Sequence, residues 1–215
     1  MARRGPNSEM NAACPATDLR VFVIDDDRLV LRSVERALQA NGFDVETYTC
    51  PVAFLERPPH DGPGCVLLDL VMPGLSGLDV QMAIARRGVA LPVVFLSGHS
   101  DVATTARAMR GGAVDFLVKP IDESELLDAI ARAGARALAL QQQRQTARDA
   151  DTRFARLTKR EREVCELVGC GLPNKQIASQ LGIVEKTIKV HRGRALHKLQ
   201  VTSVAALVRL LADRS

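Results

Sequence analysis

Two stretches decide the fold of this chain: LRVFVIDD, residues 19–26, and CVLLD, residues 65–69. Each is a short, nearly continuous apolar run that ends in acidic residues, which is typical of a strand buried on both faces of a parallel sheet. Neighbouring parallel strands would bring Asp25, Asp26 and Asp69 together at the carboxyl edge of the sheet, where open α/β sheets bind ligands. Three adjacent carboxylates need a cation, and an all-oxygen cluster suits Mg²⁺. The sequence therefore predicts a magnesium site beside a reactive aspartate.

The rest of the first half of the chain alternates short apolar runs with segments of helical periodicity. Alternation of this kind predicts β-α-β units and a parallel sheet with helices on both faces. The expected fold is therefore α/β, with a doubly wound five-stranded parallel sheet. The predicted strands are residues 20–24, 43–48, 65–69, 92–97 and 114–118, and the predicted helices are residues 28–40, 51–57, 77–87, 101–110 and 123–140.

Length and hydropathy limit the other possibilities. The chain has 215 residues, of which 47% are hydrophobic, so it can hold one large domain or two small ones. No apolar stretch reaches the ~18 residues that a membrane span needs, and the Arg pair near the N-terminus is not followed by the apolar segment of a secretory signal. We therefore expect a cytoplasmic protein without a membrane partner, and we interpret residues 1–18 as a disordered polar tail.

Charge is distributed unevenly between the two halves of the chain. Residues 19–140 carry 12 Lys or Arg and 16 Asp or Glu, a net charge of −4, whereas residues 156–215 carry 12 and 5, a net charge of +7. An acidic half joined to a basic half predicts two domains with different partners. The basic half suits a polyanion such as DNA.

The five cysteines are odd in number and show neither a CxxC motif nor zinc-binding spacing. Cys65 lies in a strand pattern and Cys165 in a helical apolar stripe, so both are interpreted as buried packing residues. Cys50 and Cys170 remain candidates for a redox role.

The second half of the chain shows helical patterns only. Residues 139–152 are polar and favour helix, so we interpret them as a linker that continues the fifth helix. Residues 153–215 are predicted to form a small all-α domain of four helices, in which a turn at 181–184 joins two helices into a helix-turn-helix. The predicted helices are residues 158–169, 174–181, 185–199 and 203–213.

Two further polar residues, Ser97 and Lys119, end predicted strands of the first domain. In a parallel sheet they converge on the edge that carries the acidic cluster. A carboxylate nucleophile, a metal ion, a hydroxyl and an ammonium are the groups that move a phosphoryl group, because Mg²⁺ and lysine neutralise its equatorial oxygens. The sequence therefore predicts phosphoryl transfer to Asp69.

A family resemblance rests on four groups of residues: Asp25-Asp26, the run DLVMPGLSG at 69–77, Ser97-Gly98-His99 and Lys119-Pro120. With them the segment 19–138 resembles the receiver domain of bacterial two-component response regulators, which has a flavodoxin-like fold. The resemblance implies that Asp69 accepts phosphate from a sensor histidine kinase. It also implies a Mg²⁺ site formed directly by Asp26 and Asp69, through water by Asp25, and by the backbone carbonyl of Val71.

The same resemblance assigns roles to three other residues of the first domain. Lys119 is expected to bind a phosphate oxygen, and Ser97 and Phe116 are expected to form a switch pair. The peptide bond between Lys119 and Pro120 is expected to be cis.

The second domain carries the runs LTKREREV at 157–164, GLPNKQIA at 171–178 and TIKVHR at 187–192. These runs resemble the LuxR-type DNA-binding domain over about residues 153–213, so the whole chain resembles the FixJ/NarL class of response regulators. The resemblance implies that the helix after the turn enters the major groove, with Lys189 and Val190 over base edges. The other expected DNA contacts, mainly with phosphates, are Asn174, Lys175, Lys186, Thr187, Arg192 and Arg194.

Two positions of the second domain qualify this expectation. Val184 stands where relatives usually have the Ser or Thr that caps the recognition helix, so that cap is predicted to be missing or shifted. Gly193 stands where relatives often have a contacting side chain, which predicts the loss of one contact. Lys198 is expected on the exposed face of the recognition helix with the other cations, either as a phosphate contact or only as part of a solvated face. The resemblance implies that the last helix forms a dimer contact, and its apolar pattern also fits a core helix.

The favoured hypothesis is a DNA-binding transcriptional regulator that is activated by phosphorylation of Asp69, forms a homodimer on promoter DNA and contacts RNA polymerase. It is not expected to be an enzyme beyond slow self-phosphorylation and dephosphorylation. A Mg²⁺-dependent phosphatase is one alternative, although such hydrolases usually have an acid/base Asp two residues after the nucleophile, where this chain has Val71. The other alternative is a regulator that works without phosphorylation or responds to oxidation of Cys50.

Overall fold

The computed structural model describes residues 19–88, 91–98 and 102–212. The predicted tail at 1–18 and the first residue of the predicted fourth helix lie outside these ranges. The chain divides between Gln141 and Gln142 into two compact units. None of the described helices is long and apolar enough to cross a bilayer.

A parallel five-stranded sheet forms the centre of the N-terminal unit, in the order β2-β1-β3-β4-β5. This order and the helices on both faces confirm the predicted doubly wound, flavodoxin-like fold. The register places Ile24 of β1 opposite Leu68 of β3. The strands are β1 Arg20–Ile24, β2 Asp44–Tyr48, β3 Gly64–Asp69, β4 Val93–Ser97 and β5 Asp115–Val118.

Side chains on the two faces of β1 pack against different helices. Val21 and Val23 belong to one hydrophobic core with α1 and α5, whereas Phe22 and Ile24 belong to a second core with α2, α3 and α4. The strand is buried on both faces, which is why its sequence is nearly continuously apolar. The helices of this unit are α1 Arg28–Ala40, α2 Pro51–Glu56, α3 Gly77–Arg86, α4 Val102–Arg110 and the first part of α5 Glu123–Ala155, whose residues after Gln141 belong to the second unit.

Local chemistry sets the ends of these helices. The side chain of Asp27 accepts a hydrogen bond from the Leu29 N–H and caps α1, and Ser76 and Asp79 form a capping box at the start of α3. Gly112, with φ of +90°, lets the chain leave α4 in a left-handed conformation. Helix α5 continues without a break through the polar segment that was interpreted as a linker at 139–152.

The described residues of the C-terminal unit form helices joined by short turns, and they contain no strand. Phe154, Val164, Ile177 and Ile188 are buried at its centre, together with Leu207 of the last helix. The predicted all-α domain of four helices is confirmed, and the bounds that lie among the described residues are within one residue of the prediction, while residue 213, the predicted end of the last helix, lies outside them. These helices are α6 Lys159–Gly169, α7 Asn174–Leu181, α8 Glu185–Leu199 and α9 Val204–Ala212.

The helix-turn-helix is formed by α7 and α8. Gly182, with φ of +65°, ends α7 in the left-handed conformation. Val184 occupies the N-cap position of α8 without a side-chain hydrogen bond, so the predicted absence of a cap is confirmed. At the start of α6, Thr158 and Glu161 form a capping box.

The cysteines divide by burial as expected. Cys65 and Cys165 are buried, and burial raises the pKa of the Cys65 thiol to about 12 and that of the Cys165 thiol to about 11. Both are packing residues. Cys50 and Cys170 are exposed.

Candidate functional site

The carboxyl edge of the sheet gathers the three acidic residues singled out in the sequence. Because Ile24 pairs with Leu68, Asp25 lies beside Asp69 at the ends of β1 and β3. Carboxylate oxygens of Asp25, Asp26 and Asp69 all lie within 4.8 Å of one another. Asp25 is fully buried and Asp69 almost so, whereas Asp26 is exposed.

Lys119 joins the acidic cluster from β5. Its ammonium nitrogen lies 2.6 Å from Asp25 Oδ2 and 3.3 Å from Asp69 Oδ2. The backbone N–H of Lys119 donates to the carbonyl of Ser97 at 2.8 Å, which continues the pairing of β4 and β5 and fixes where the lysine leaves the sheet. The bond between Lys119 and Pro120 is cis, as the resemblance implied.

Burial and charge act in opposite directions on these groups. Burial raises the pKa of Asp69, and the charge of Asp25 raises it further, while Lys119 and the Val71 N–H lower it. Burial alone would lower the pKa of Lys119, but its hydrogen bond with Asp25 and the two carboxylate charges outweigh this effect and raise it. The positive charge of Lys119 therefore partly neutralises the negative charge of the three carboxylates.

The donor set fits a hard divalent cation. Three carboxylates converge within the reach of one ion, and the exposure of Asp26 leaves one side open to the waters that Mg²⁺ retains. Val71 lies in the loop directly after Asp69, with its side chain 75% exposed. Coordination by the Val71 carbonyl remains a prediction.

The two residues of the expected switch pair lie on neighbouring strands. Ser97 is buried at the end of β4. Phe116 of β5 is half-buried, and its ring centroid lies 6.5 Å from that of Phe95, its partner in the strand register. His99 lies outside the described residues.

Gly77 has a role that sequence reasoning missed. A Cβ atom at this position would lie 2.3 Å from the backbone oxygen of Asp69, so only glycine lets α3 begin this close to the acidic loop. Its N–H donates to the carbonyl of Leu70 at 2.9 Å. The available signal was a glycine directly after the N-cap residue Ser76, where no turn demands it.

The predicted DNA-contacting residues lie on α7 and α8. Asn174, Thr187 and Arg192 are half-buried, and Arg192 Nη1 donates to Asn174 Oδ1 at 3.3 Å, which joins the two helices. Lys189 lies 3.5 Å from Glu185 one turn earlier, an exposed pair of small energetic value. The exposed members of the predicted set are Lys175, Lys186, Lys189, Val190 and Arg194.

Lys198 was expected on the exposed face of α8, but it is half-buried. Its ammonium nitrogen lies 2.6 Å from Glu161 Oε2, and Glu161 is only 3% exposed. Lys198 therefore holds α8 against the start of α6. The sequence showed its charge but not the burial of a carboxylate 37 positions earlier.

Family models match both units. Residues 21–131 match the model of the response regulator receiver domain, and residues 155–211 match the model of bacterial regulatory proteins of the LuxR family. Together these segments cover the acidic pocket and the helix-turn-helix.

Relatives match the chain over nearly its whole length. Nodulation protein W of Bradyrhizobium diazoefficiens is 38% identical over 96% of this chain and 90% of that protein. The transcriptional regulatory protein FixJ of Rhizobium meliloti is 36% identical over 90% of this chain and 95% of that protein. A solved structure of response regulator StyR is 42% identical, with a TM-score of 0.77 over 91% of this chain and 98% of that one.

The same family is indicated by the order of the strands, the acidic pocket, the helix-turn-helix and the relatives. This chain belongs to the transcriptional response regulators of two-component systems that combine a receiver domain with a LuxR-type DNA-binding domain.

Proposed function

We propose that Asp69 accepts a phosphoryl group from a sensor histidine kinase and that this modification controls binding of the C-terminal unit to promoter DNA. The observation that carries the proposal is the position of Lys119, whose ammonium lies within 3.3 Å of Asp69 and 2.6 Å of Asp25. A phosphoryl group on Asp69 would meet a fixed positive charge without any reorganisation of the sheet.

The proposed transfer uses a carboxylate oxygen of Asp69 as the nucleophile. That oxygen forms a bond to phosphorus, the bond from phosphorus to the histidine nitrogen of the donor breaks, and the nitrogen keeps the electron pair. Mg²⁺, held by Asp25, Asp26, Asp69 and the Val71 carbonyl, would supply positive charge to the phosphoryl oxygens. Lys119 neutralises one further oxygen of the acyl phosphate.

A groove beside the acidic pocket supports a kinase as the donor. It has a volume of about 440 Å³ and is lined by α1, by Lys119 and by the residues that follow it. Leu29 in its wall is 74% exposed, and an exposed apolar residue beside a charged pocket favours a protein partner. Leu29→Glu should lose phosphorylation by the kinase but keep it with acetyl phosphate. The control Val52→Glu, exposed on α2, should keep both.

The proposed output passes through β4 and β5. Phosphorylated Asp69 attracts the Ser97 hydroxyl, Phe116 follows, and the surface of α4 and β5 changes to favour a homodimer. Two C-terminal units then bind two DNA half-sites and recruit RNA polymerase. Because promoter DNA and its polymerase lie in the bacterial cytoplasm, we infer the same location for this protein.

We infer that catalysis by this chain is limited to slow gain and loss of its own phosphate. The position two residues after Asp69 is Val71, which cannot act as a general acid or base. No multiple turnover of a soluble phosphoester is expected. Such turnover would favour the phosphatase alternative.

The function is tested by the electrophoretic mobility of DNA fragments selected from the genome by the phosphorylated wild-type protein. Acetyl phosphate with Mg²⁺ should raise the affinity of the wild type and leave Asp69→Asn unchanged. The control Asp44→Asn, an exposed carboxylate on the edge strand β2, should respond as the wild type does. Regulation that persists in Asp69→Asn but disappears in Cys50→Ser would favour a redox response instead.

A further inference from the structure

A second cavity lies at the amino-terminal edge of the sheet, away from Asp69. It has a volume of about 240 Å³ and lies between α2, the segment that follows α2, and the end of α3. Phe54, Ile84 and Leu91 form much of its wall, and all three are buried. Two cationic residues, Arg57 and Arg87, line the same space. The cavity thus combines an apolar wall with two cations.

Arg57 is held firmly but is incompletely satisfied. Its guanidinium carbon lies 4.1 Å from the ring centroid of Phe22 and 4.7 Å from that of Phe54, and Nη1 donates to the Pro58 carbonyl at 2.9 Å. Its Nε is buried and has no hydrogen-bond partner. Buried N–H groups without an acceptor are rare in proteins, because the lost hydration is not replaced. The Arg57 side chain is therefore held by the two aromatic rings and by the Pro58 carbonyl, and not by a carboxylate.

Arg87 approaches the cavity from the other side. It is exposed, and its Nη1 donates to the carbonyl of Leu55 at the end of α2. Among the described residues, no carboxylate forms an ion pair with Arg57 or with Arg87. Cations near helix C-termini and over aromatic rings also stabilise a fold by themselves. That structural role does not explain the open cavity between the two arginines.

We propose that this cavity binds a small organic carboxylate with an apolar body, with the carboxylate between Arg57 and Arg87 and the body against Phe54, Ile84 and Leu91. Planar guanidinium groups match a carboxylate in geometry as well as charge. A purely inorganic anion would leave the apolar wall unused.

The volume sets the size of the ligand. An apolar cavity of roughly 150 Å³ accepts benzene, so about 240 Å³ has room for one ring and a carboxylate. Drug-sized ligands occupy sites of roughly 300–1,000 Å³, which excludes nucleotides and larger anions. A segment of another protein would place at most one side chain here.

The ligand would join the ends of α2 and α3 without touching the acidic pocket. Binding is therefore expected in Asp69→Asn as in the wild type, so that it can be judged independently of the proposed phosphorylation. Benzoate is the simplest probe, and benzamide is its uncharged counterpart of the same shape.

The test follows amide signals of the full chain by NMR during titration with each probe. Benzoate should give saturable shifts at Phe54, Ile84 and Leu91, and benzamide should bind at least about tenfold more weakly, because it loses the charge-assisted hydrogen bonds. Arg87→Gln should weaken benzoate by a similar factor. Arg86→Gln, an exposed neighbour outside the cavity, should not.

Arg57→Lys provides a second variant that keeps the charge but loses the planar fork, and it should also bind benzoate more weakly. The proposal is overturned if benzoate gives no saturable shifts at the cavity, if benzamide binds equally well, or if Arg87→Gln binds like the wild type. Binding of a peptide that ends in phenylalanine, without binding of benzoate, would also overturn it in favour of a protein partner.

Discussion

Replacing Lys198 by methionine is expected to destabilise the C-terminal unit, because Lys198 pairs with a carboxylate that is almost fully buried. Glu161 Oε2 accepts from Lys198 Nζ at 2.6 Å and from the Thr158 N–H at 2.8 Å. Methionine keeps the aliphatic length of the side chain and removes the charge. The carboxylate would then keep only the hydrogen bonds of the capping box.

The expected loss of stability depends on how deeply Lys198 and Glu161 are buried. Removal of one partner from a fully buried ion pair costs roughly 3–5 kcal/mol. The Lys198 side chain is 34% exposed and Thr158 continues to donate, so the loss is closer to that of one hydrogen bond to a charged group, about 2 kcal/mol. For a domain of this size the melting temperature should fall by about 8–16 °C.

Amide hydrogen exchange in the full chain measures this loss, because signals from α6 and α8 report the C-terminal unit alone. The control is Lys189→Met on the same helix, whose ion pair with Glu185 is exposed on both sides and should contribute no more than about 0.5 kcal/mol. Equal effects of the two substitutions would refute the structural role of Lys198.

The pair also gives the C-terminal unit a dependence on acid pH. Burial alone would raise the pKa of Glu161, but its hydrogen bonds with Lys198 and Thr158 outweigh burial and hold it below the ordinary value of 4.5. A carboxyl group whose pKa is lower in the folded state stabilises that state above the ordinary value, and the contribution disappears as pH falls through the lowered pKa. Lys198→Met should therefore lose stability at neutral pH and show a weaker acid transition.

Three other substitutions test separate parts of the structure. Val184→Ser should raise the free energy of unfolding of the C-terminal unit by about 1 kcal/mol in urea denaturation, since it adds the absent cap at an exposed position; no gain would contradict the assigned cap. Gly77→Ala should lower the free energy of unfolding by roughly 1–3 kcal/mol and slow phosphorylation by acetyl phosphate, because the added methyl group clashes with the Asp69 backbone. Wild-type stability of this variant would contradict the packing at Gly77. Arg192→Ala should weaken binding to DNA of any sequence and reduce the slope of log affinity against log salt by about 0.9; an unchanged slope would exclude a phosphate contact.

The fold and the acidic pocket could be predicted from the sequence for a physical reason. A strand buried on both faces needs an apolar residue at nearly every position, and parallel strands must end at one edge. The runs before Asp25 and Asp69 satisfy both conditions, so the sheet and the convergence of the acidic residues follow together. Caps such as Thr158 were predictable because a capping box is local in sequence.

Features that depend on burial or on contacts between distant residues could not be predicted from the sequence. In the sequence, Lys198 cannot be distinguished from the other cations of α8, because its role depends on the position of Glu161 in the fold. The close approach at Gly77 depends on where the backbone of Asp69 lies. The cavity beside Arg57 and Arg87 arises from packing between α2 and α3, and neither helix carries a sequence signal for it.

Intact-mass spectrometry of the chain after incubation with acetyl phosphate and Mg²⁺ is the most direct test of the central claim, that the pocket at the carboxyl edge of the sheet captures a phosphoryl group on Asp69. The wild type should gain one hydroxylamine-sensitive phosphoryl group, and Asp69→Asn should gain none. Chelation of Mg²⁺ should abolish the gain. A wild type that stays unmodified, or an Asp69→Asn variant that is modified to the same extent, would contradict the account.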